Sequence, residues 1–141
     1  MASGGRLQRR VEKYAVNPLA RLALLLGIAP RAFALLETTG RRSGRRRLTP
    51  VGNGLDGDVF WLVAEHGTGC EYVKNLIAEP NTRVKVGRRW YRGTATVVTD
   101  DDAFARRRHL DERNGLAGRA YGVIFRASAS VPVTIRIDLR T

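Results

Sequence analysis

The chain has 141 residues, 43% hydrophobic and 27% charged, with 25 Lys/Arg against 13 Asp/Glu for a net charge of +12. That length fits one domain with a real core, and the composition is that of a globular protein rather than a disordered or fibrous one. Cys70 is the only cysteine, which excludes a disulfide framework and a thiolate metal site and points to a reducing cytoplasm.

The charge is uneven. Residues 1–50 hold eleven Lys/Arg against Glu12 and Glu37, for +9, and residues 51–141 hold fourteen against eleven, for +3. Such asymmetry suits a ligand rich in phosphate or carboxylate, or an anionic membrane surface. Arginine makes up 22 of the 25 basic residues, and its planar fork matches phosphate oxygens two at a time.

Residues 1–5 read as a loose start, and Leu7 to Ala15 has helical spacing. Asn17-Pro18 is a helix-start signal, and a second helix runs to about Leu26 and stops at Gly27. The apolar run Pro18 to Pro30 is too short for the roughly 20 residues a membrane span needs. Residues 1–30 therefore read as an N-terminal helical extension of a single domain covering 1–141. Strands are expected at Ala34 to Thr39 and Arg47 to Asn53, flanking a turn held by Gly40 and Gly44. Turn signals at Asn53-Gly54 and Asp56-Gly57-Asp58 precede a buried strand, Val59 to Glu65. Gly67-Thr68-Gly69 breaks it, and Glu71 to Ala78 reads as a helix. Thr82 to Val86 and Trp90 to Val98 alternate as strands around Gly87-Arg88-Arg89. Asp100 to Arg113 reads as a helix with Thr99 as N-cap and acids in its first turn. Leu116 to Phe125 reads as helical, and Val131 to Leu139 as the last strand. Hairpins rather than strand–helix–strand units connect the middle of the chain, so the fold class is mostly β, a small antiparallel barrel with helices packed outside.

Catalytic machinery is sparse. His66 and His109 have no spacing that makes metal ligands of them, so no metal site is expected. There is no nucleophile elbow, Walker loop or dinucleotide fingerprint. An enzyme with so few acid–base groups relies on a cofactor for its chemistry. Two features suit a phosphorylated ligand. The five arginines between Arg41 and Arg47 sit on one tight turn, where several guanidinia can share one anion. The strand end, glycine loop and helix from Glu65 to Leu76 offer free N–H groups at a helix start, with Gly67 and Gly69 allowing close approach to the backbone.

The segment "LLETTGRRSGRRRLTPV", followed by "VAEHGTG", "YVKNLIAEPNTRVKV" and "GRRWYRGTATVV", resembles the deazaflavin-dependent nitroreductase family of F420-dependent nitro and quinone reductases. The resemblance covers about residues 17–98. It implies a split β-barrel related to flavin-binding barrels, with an N-terminal helix near the membrane. It implies coenzyme F420 as cofactor, whose phosphodiester and polyglutamate tail match the positive charge. Hydride would pass from reduced F420 to a quinone, nitro compound or similar small-molecule acceptor. By position, Arg41, Arg42 and Arg47 would hold the phosphate and acidic tail. Thr49, Pro50 and Val51 would line the ring with strand backbone, Glu65, His66 and Gly67 would contact its ring and phosphate side, and Tyr72 and Asn75 would frame it from the next helix. Tyr121 is the candidate proton donor or substrate contact.

Two other readings stay open at this point. One is an FMN-binding or cofactor-carrying split barrel. The other is a basic module for nucleic acid or a membrane surface, reached through the N-terminal helices. Against nucleic acid, Phe60, Trp61, Trp90 and Tyr91 fall in expected strands and suit a core better than base stacking. The oligomeric state and the physiological acceptor are not specified by the sequence.

Overall fold

The computed structural model describes residues 32–115 and 131–140. The N-terminal helices, the expected helix at 116–125 and Tyr121 lie outside the described residues. Seven antiparallel strands form one sheet: β1 (Phe33–Thr39), β2 (Arg46–Gly52), β3 (Leu55–Asp56), β4 (Val59–Ala64), β5 (Asn81–Val86), β6 (Arg89–Val98) and β7 (Val133–Arg140). Their lateral order is β2-β1-β5-β6-β7-β4-β3. The sheet curls into a half-barrel around helix α1 (Glu71–Ala78), and α2 (Ala103–Arg113) packs on the opposite face.

Alternation in the strands dictates this two-sided arrangement, because successive side chains point to opposite faces. In β4, Phe60, Leu62 and Ala64 turn inward and join Leu36, Val84, Ile135 and Ile137 in the core. Val73 and Leu76 of α1 complete that core from inside the curl. The alternate residues Trp61 and Val63 turn outward and meet Ala103 and Leu110 of α2. Fully burying each large aliphatic or aromatic side chain contributes about 1.5–3 kcal/mol, so the inner cluster dominates the stability of the sheet.

Strand ends shift by a residue or two from the sequence reading, and three differences, at β3, α2 and β2, have a local cause. Leu55 and Asp56 form a two-residue strand paired with Phe60 and Val59, too short to show a period. The cap of α2 is Asp102, whose carboxylate accepts from the Ala105 N–H, and not Thr99. The acids therefore precede the helix rather than fill its first turn. Asp101 accepts hydrogen bonds from Arg106 and from the Thr134 hydroxyl of β7, and this tertiary pull settles where α2 begins. Third, β2 starts at Arg46, which extends the strand into the basic run.

Candidate functional site

The turn between β1 and β2 is held by its own backbone. The Gly40 N–H donates to the Arg45 carbonyl at 2.7 Å and the Gly44 N–H to the Gly40 carbonyl at 2.8 Å. Gly44 sits at φ +70°, a left-handed conformation that side chains disfavour. The five arginines are thereby splayed over a short loop and the start of an edge strand.

Strand register decides which of them face inward. Thr38 lies opposite Arg47 and Leu36 opposite Thr49, and directly opposed residues share a face. Arg47 and Thr49 consequently point to the face that α1 covers. Between the turn, β2 and α1 lies an open groove of about 640 Å³. Arg41, Arg42, Arg47, Thr49, Tyr72 and Asn75 line it, so the structure brings six of the sequence-derived site residues together. Thr38, Ser43, Arg46, Leu48 and Glu71 line it as well; none of these was in the sequence-derived set.

The arginines divide by their partners. Arg41 is committed to the protein: its backbone N–H and its Nη1 both donate to Asn75 Oδ1, at 3.2 and 2.9 Å, and its Nη2 donates to Glu71 Oε2 at 2.8 Å. Asn75 is buried, so its carbonyl works as a clasp between the turn and α1. Arg46 leans toward Glu37 at 3.8 Å, while Glu37 is gripped bidentately by Arg83. Arg42 and Arg47 line the groove and, among the described residues, form no ion pair. Among the described residues, Glu71 is the only carboxylate lining the groove. The hydrogen bond and charge of Arg41, and then Lys74, hold its carboxyl below the ordinary range.

Among the described residues, the remaining sequence-derived ones lie outside the groove. Pro50 falls on the opposite face of β2, opposite Leu35, and Val51 is packed in the core. Glu65 and His66 are half-buried beyond the end of β4, ahead of a 3₁₀ turn at Gly67–Gly69. Gly67 sits at φ +56°, and a side chain there would meet the Val131 carbonyl at 2.3 Å. The space its missing side chain leaves is filled by the chain itself, not kept for a ligand. Burial pushes the Cys70 thiol above its ordinary value, with the Glu65 charge adding to the effect, so it is poorly suited to act as a nucleophile.

The groove is thus basic in character, and among the described residues its lining offers no paired acid and base. Among the described residues no group of three or more His, Cys, Asp or Glu gathers as a metal site, and no helix is long and apolar enough to cross a membrane.

The family model for F420H(2)-dependent quinone reductases matches residues 9–138. No curated protein matches the chain. Among solved structures the chain is similar to an F420-H2 dependent reductase (FDR-A), with 19% identity and a TM-score of 0.55 over 77% of this chain and 96% of that one. It is similar to a second F420 reductase at 18% identity and a TM-score of 0.56, covering 84% and 92% of the two chains. A putative pyridoxamine 5'-phosphate oxidase from Listeria innocua aligns at 13% identity and a TM-score of 0.51, covering 86% and 92%. At these identities the likeness is one of fold, and it identifies the curled sheet as a split β-barrel.

Proposed function

The chain belongs to the F420H(2)-dependent quinone reductase family, and from that premise we propose how its own residues serve the reaction. The protein is an oxidoreductase that uses reduced coenzyme F420 and passes hydride to a quinone-type acceptor. When bound, the cofactor supplies the hydride, and reduction of a quinone to a hydroquinone takes up one hydride and one proton.

The residues present fit such a cofactor. Arg42 and Arg47 clamp its phosphate and acidic tail by charge-assisted hydrogen bonds. Thr49 of β2 would form the wall beside the ring, and Tyr72 would pack against it from α1; Pro50 and Val51, outside the groove, are not carried into this assignment. Arg41 and Asn75 act indirectly, by tying the basic turn to α1 so that the groove keeps its width. The protein's contribution is orientation and exclusion of water rather than proton transfer within the groove. Glu65, His66 and Gly67 are not carried into this assignment, because Gly67 is packed against Val131. Tyr121 remains the proposed hydroxyl on the acceptor side; Tyr121→Phe should lower kcat and leave F420 affinity unchanged.

The observation that carries the reading is the pair of arginines, Arg42 and Arg47, left out of the surrounding ion pairs in a groove beside an edge strand. Titration of the purified protein with F420, followed by cofactor fluorescence, tests it together with anaerobic oxidation of reduced F420 by a water-soluble quinone. Saturable binding well below millimolar, where the binding free energy is only about −4 kcal/mol, and quinone-dependent oxidation are expected. Absence of both would overturn the reading.

A further inference from the structure

Thr38 contributes to the wall of the groove and is only 2% exposed. Its hydroxyl oxygen is buried with no hydrogen-bond partner among the described residues. Buried hydroxyls are nearly always paired, and one left unpaired destabilises the fold that contains it. The surroundings do not call for a hydroxyl. Ala34 and Leu36, on the same face of β1, are fully buried in the apolar core, and valine at position 38 would continue that row.

What the hydroxyl does have is a charged neighbour. Register sets Thr38 directly opposite Arg47 on the same face of the β1–β2 pair, with Cβ atoms about 5 Å apart. The nearby donors of Arg41 are already used by Asn75 and Glu71. Across the strand pair, the Arg47 guanidinium forms no ion pair among the described residues, so it and the Thr38 hydroxyl are both left as donors on the groove wall.

We infer that Thr38 is a cofactor-anchoring residue, whose hydroxyl donates to the phosphate oxygen that Arg47 neutralises. The inference rests on the F420 site proposed above and deepens it. The two guanidinia attract any anion from a distance and do not distinguish a phosphate from a tail carboxylate. A buried O–H accepts a partner only at one depth, so it selects the anionic oxygen that sits deepest in the groove and fixes how far the cofactor enters. The unpaired hydroxyl is then a cost that binding removes.

Thr38→Val and Thr38→Ser, in the full chain, test this through thermal unfolding of the cofactor-free protein and F420 titration at two salt concentrations. Thr38→Val is expected to raise the Tm of the cofactor-free protein by a few degrees, on the order of 4 °C, and to weaken F420 binding about tenfold. Its salt dependence should match that of the wild type, because no charge has been removed, whereas Arg47→Ala should weaken binding and flatten the salt dependence. Thr38→Ser should restore the affinity. A Thr38→Val protein with wild-type affinity would overturn the inference while leaving the F420 site standing. So would a Thr38→Val protein that is less stable or fails to fold, since the hydroxyl would then be satisfied within the fold. Failure of the wild-type protein to bind F420 would remove the proposed site itself, and this inference with it.

Discussion

Arg107 of α2 and Arg47 of β2 are the same residue type at the two ends of one strand's environment, yet they are used in opposite ways. Arg107 is 3% exposed and donates to Asp111 Oδ1 through both Nε and Nη2, at 2.9 and 2.6 Å. Its guanidinium lies on the backbone of β2 at Gly52, where an added Cβ would meet Nη1 at 2.7 Å. Arg47, five residues earlier, is exposed and faces the groove, with no ion pair among the described residues. One arginine pins the end of the strand to α2, and the other holds charge in reserve for a ligand. A count of arginines treats the two alike; the partners separate them.

The largest effect expected from breaking this contrast is at the buried end. Asp111→Ala leaves the Arg107 guanidinium buried without its carboxylate, and such a loss costs about 3–5 kcal/mol. Urea unfolding should show it as a lower midpoint at an unchanged slope. A change under about 0.5 kcal/mol would mean that the pair does not hold β2 and that the comparison fails. At the groove end the expectation reverses. Arg42→Ala combined with Arg47→Ala should leave unfolding within about 0.5 kcal/mol, as for surface substitutions. F420 affinity should fall by about a hundredfold or more, since each hydrogen bond to a charged group contributes about 1.5–3 kcal/mol. A double variant that binds F420 normally would overturn the clamp.

The same contrast explains what the sequence could and could not reveal. A continuous apolar run between turn signals made β4 legible, and alternation made the β5–β6 hairpin legible, because Thr82 to Val86 and Trp90 to Val98 carry their face assignments in their own residue types. The spacing of Gly40 and Gly44 made the basic turn legible, and the family resemblance pointed to Arg41, Arg42 and Arg47 within it. The commitment of Arg41 to Asn75, 34 residues away, could not be read locally, and Arg41 therefore counted with the ligand residues. Thr38 looked like one more strand residue; only its burial without a partner marks it. Gly67 carried a true signal with two meanings, since a glycine needed for close approach does not say whether ligand or chain approaches. The start of α2 was ambiguous because Thr99, Asp100, Asp101 and Asp102 are all good capping types, and the choice was made by Arg106 and Thr134 from outside the run.

Asp101 gives a smaller effect that sharpens the structural side of the comparison. Hydrogen bonds from Arg106, and secondarily from Thr134, hold its carboxyl below the ordinary value against the opposing effect of burial. A depressed folded value means the stabilisation is present above the unfolded aspartate range, about 3.9, and is lost as pH falls through the folded value. Unfolding followed between about pH 6 and pH 3 should show Asp101→Asn losing up to about 1 kcal/mol at pH 6. The variant should approach the wild type at the acid end. Equal losses at both ends would show that packing of Arg106 over Trp61, at 3.8 Å to the ring centre, and not the carboxylate charge, holds the start of α2.

Arg41 stands between the two kinds of arginine, and Glu71 decides to which it belongs. The Glu71 carboxylate is largely exposed, yet it holds Arg41 Nη2 at 2.8 Å and places a negative charge on the groove wall. For an anionic cofactor this charge is repulsive, and it also draws away a guanidinium that would otherwise face the groove. Glu71→Gln should therefore raise F420 affinity about two- to threefold at low salt, with the gain shrinking as salt screens the field. Stability should hardly change, because an exposed ion pair contributes little and Asn75 still clasps the turn. If Glu71→Gln instead weakens binding, then the Arg41–Glu71 pair shapes the groove rather than opposing the ligand. Arg41 would then belong with Arg107 among the structural arginines.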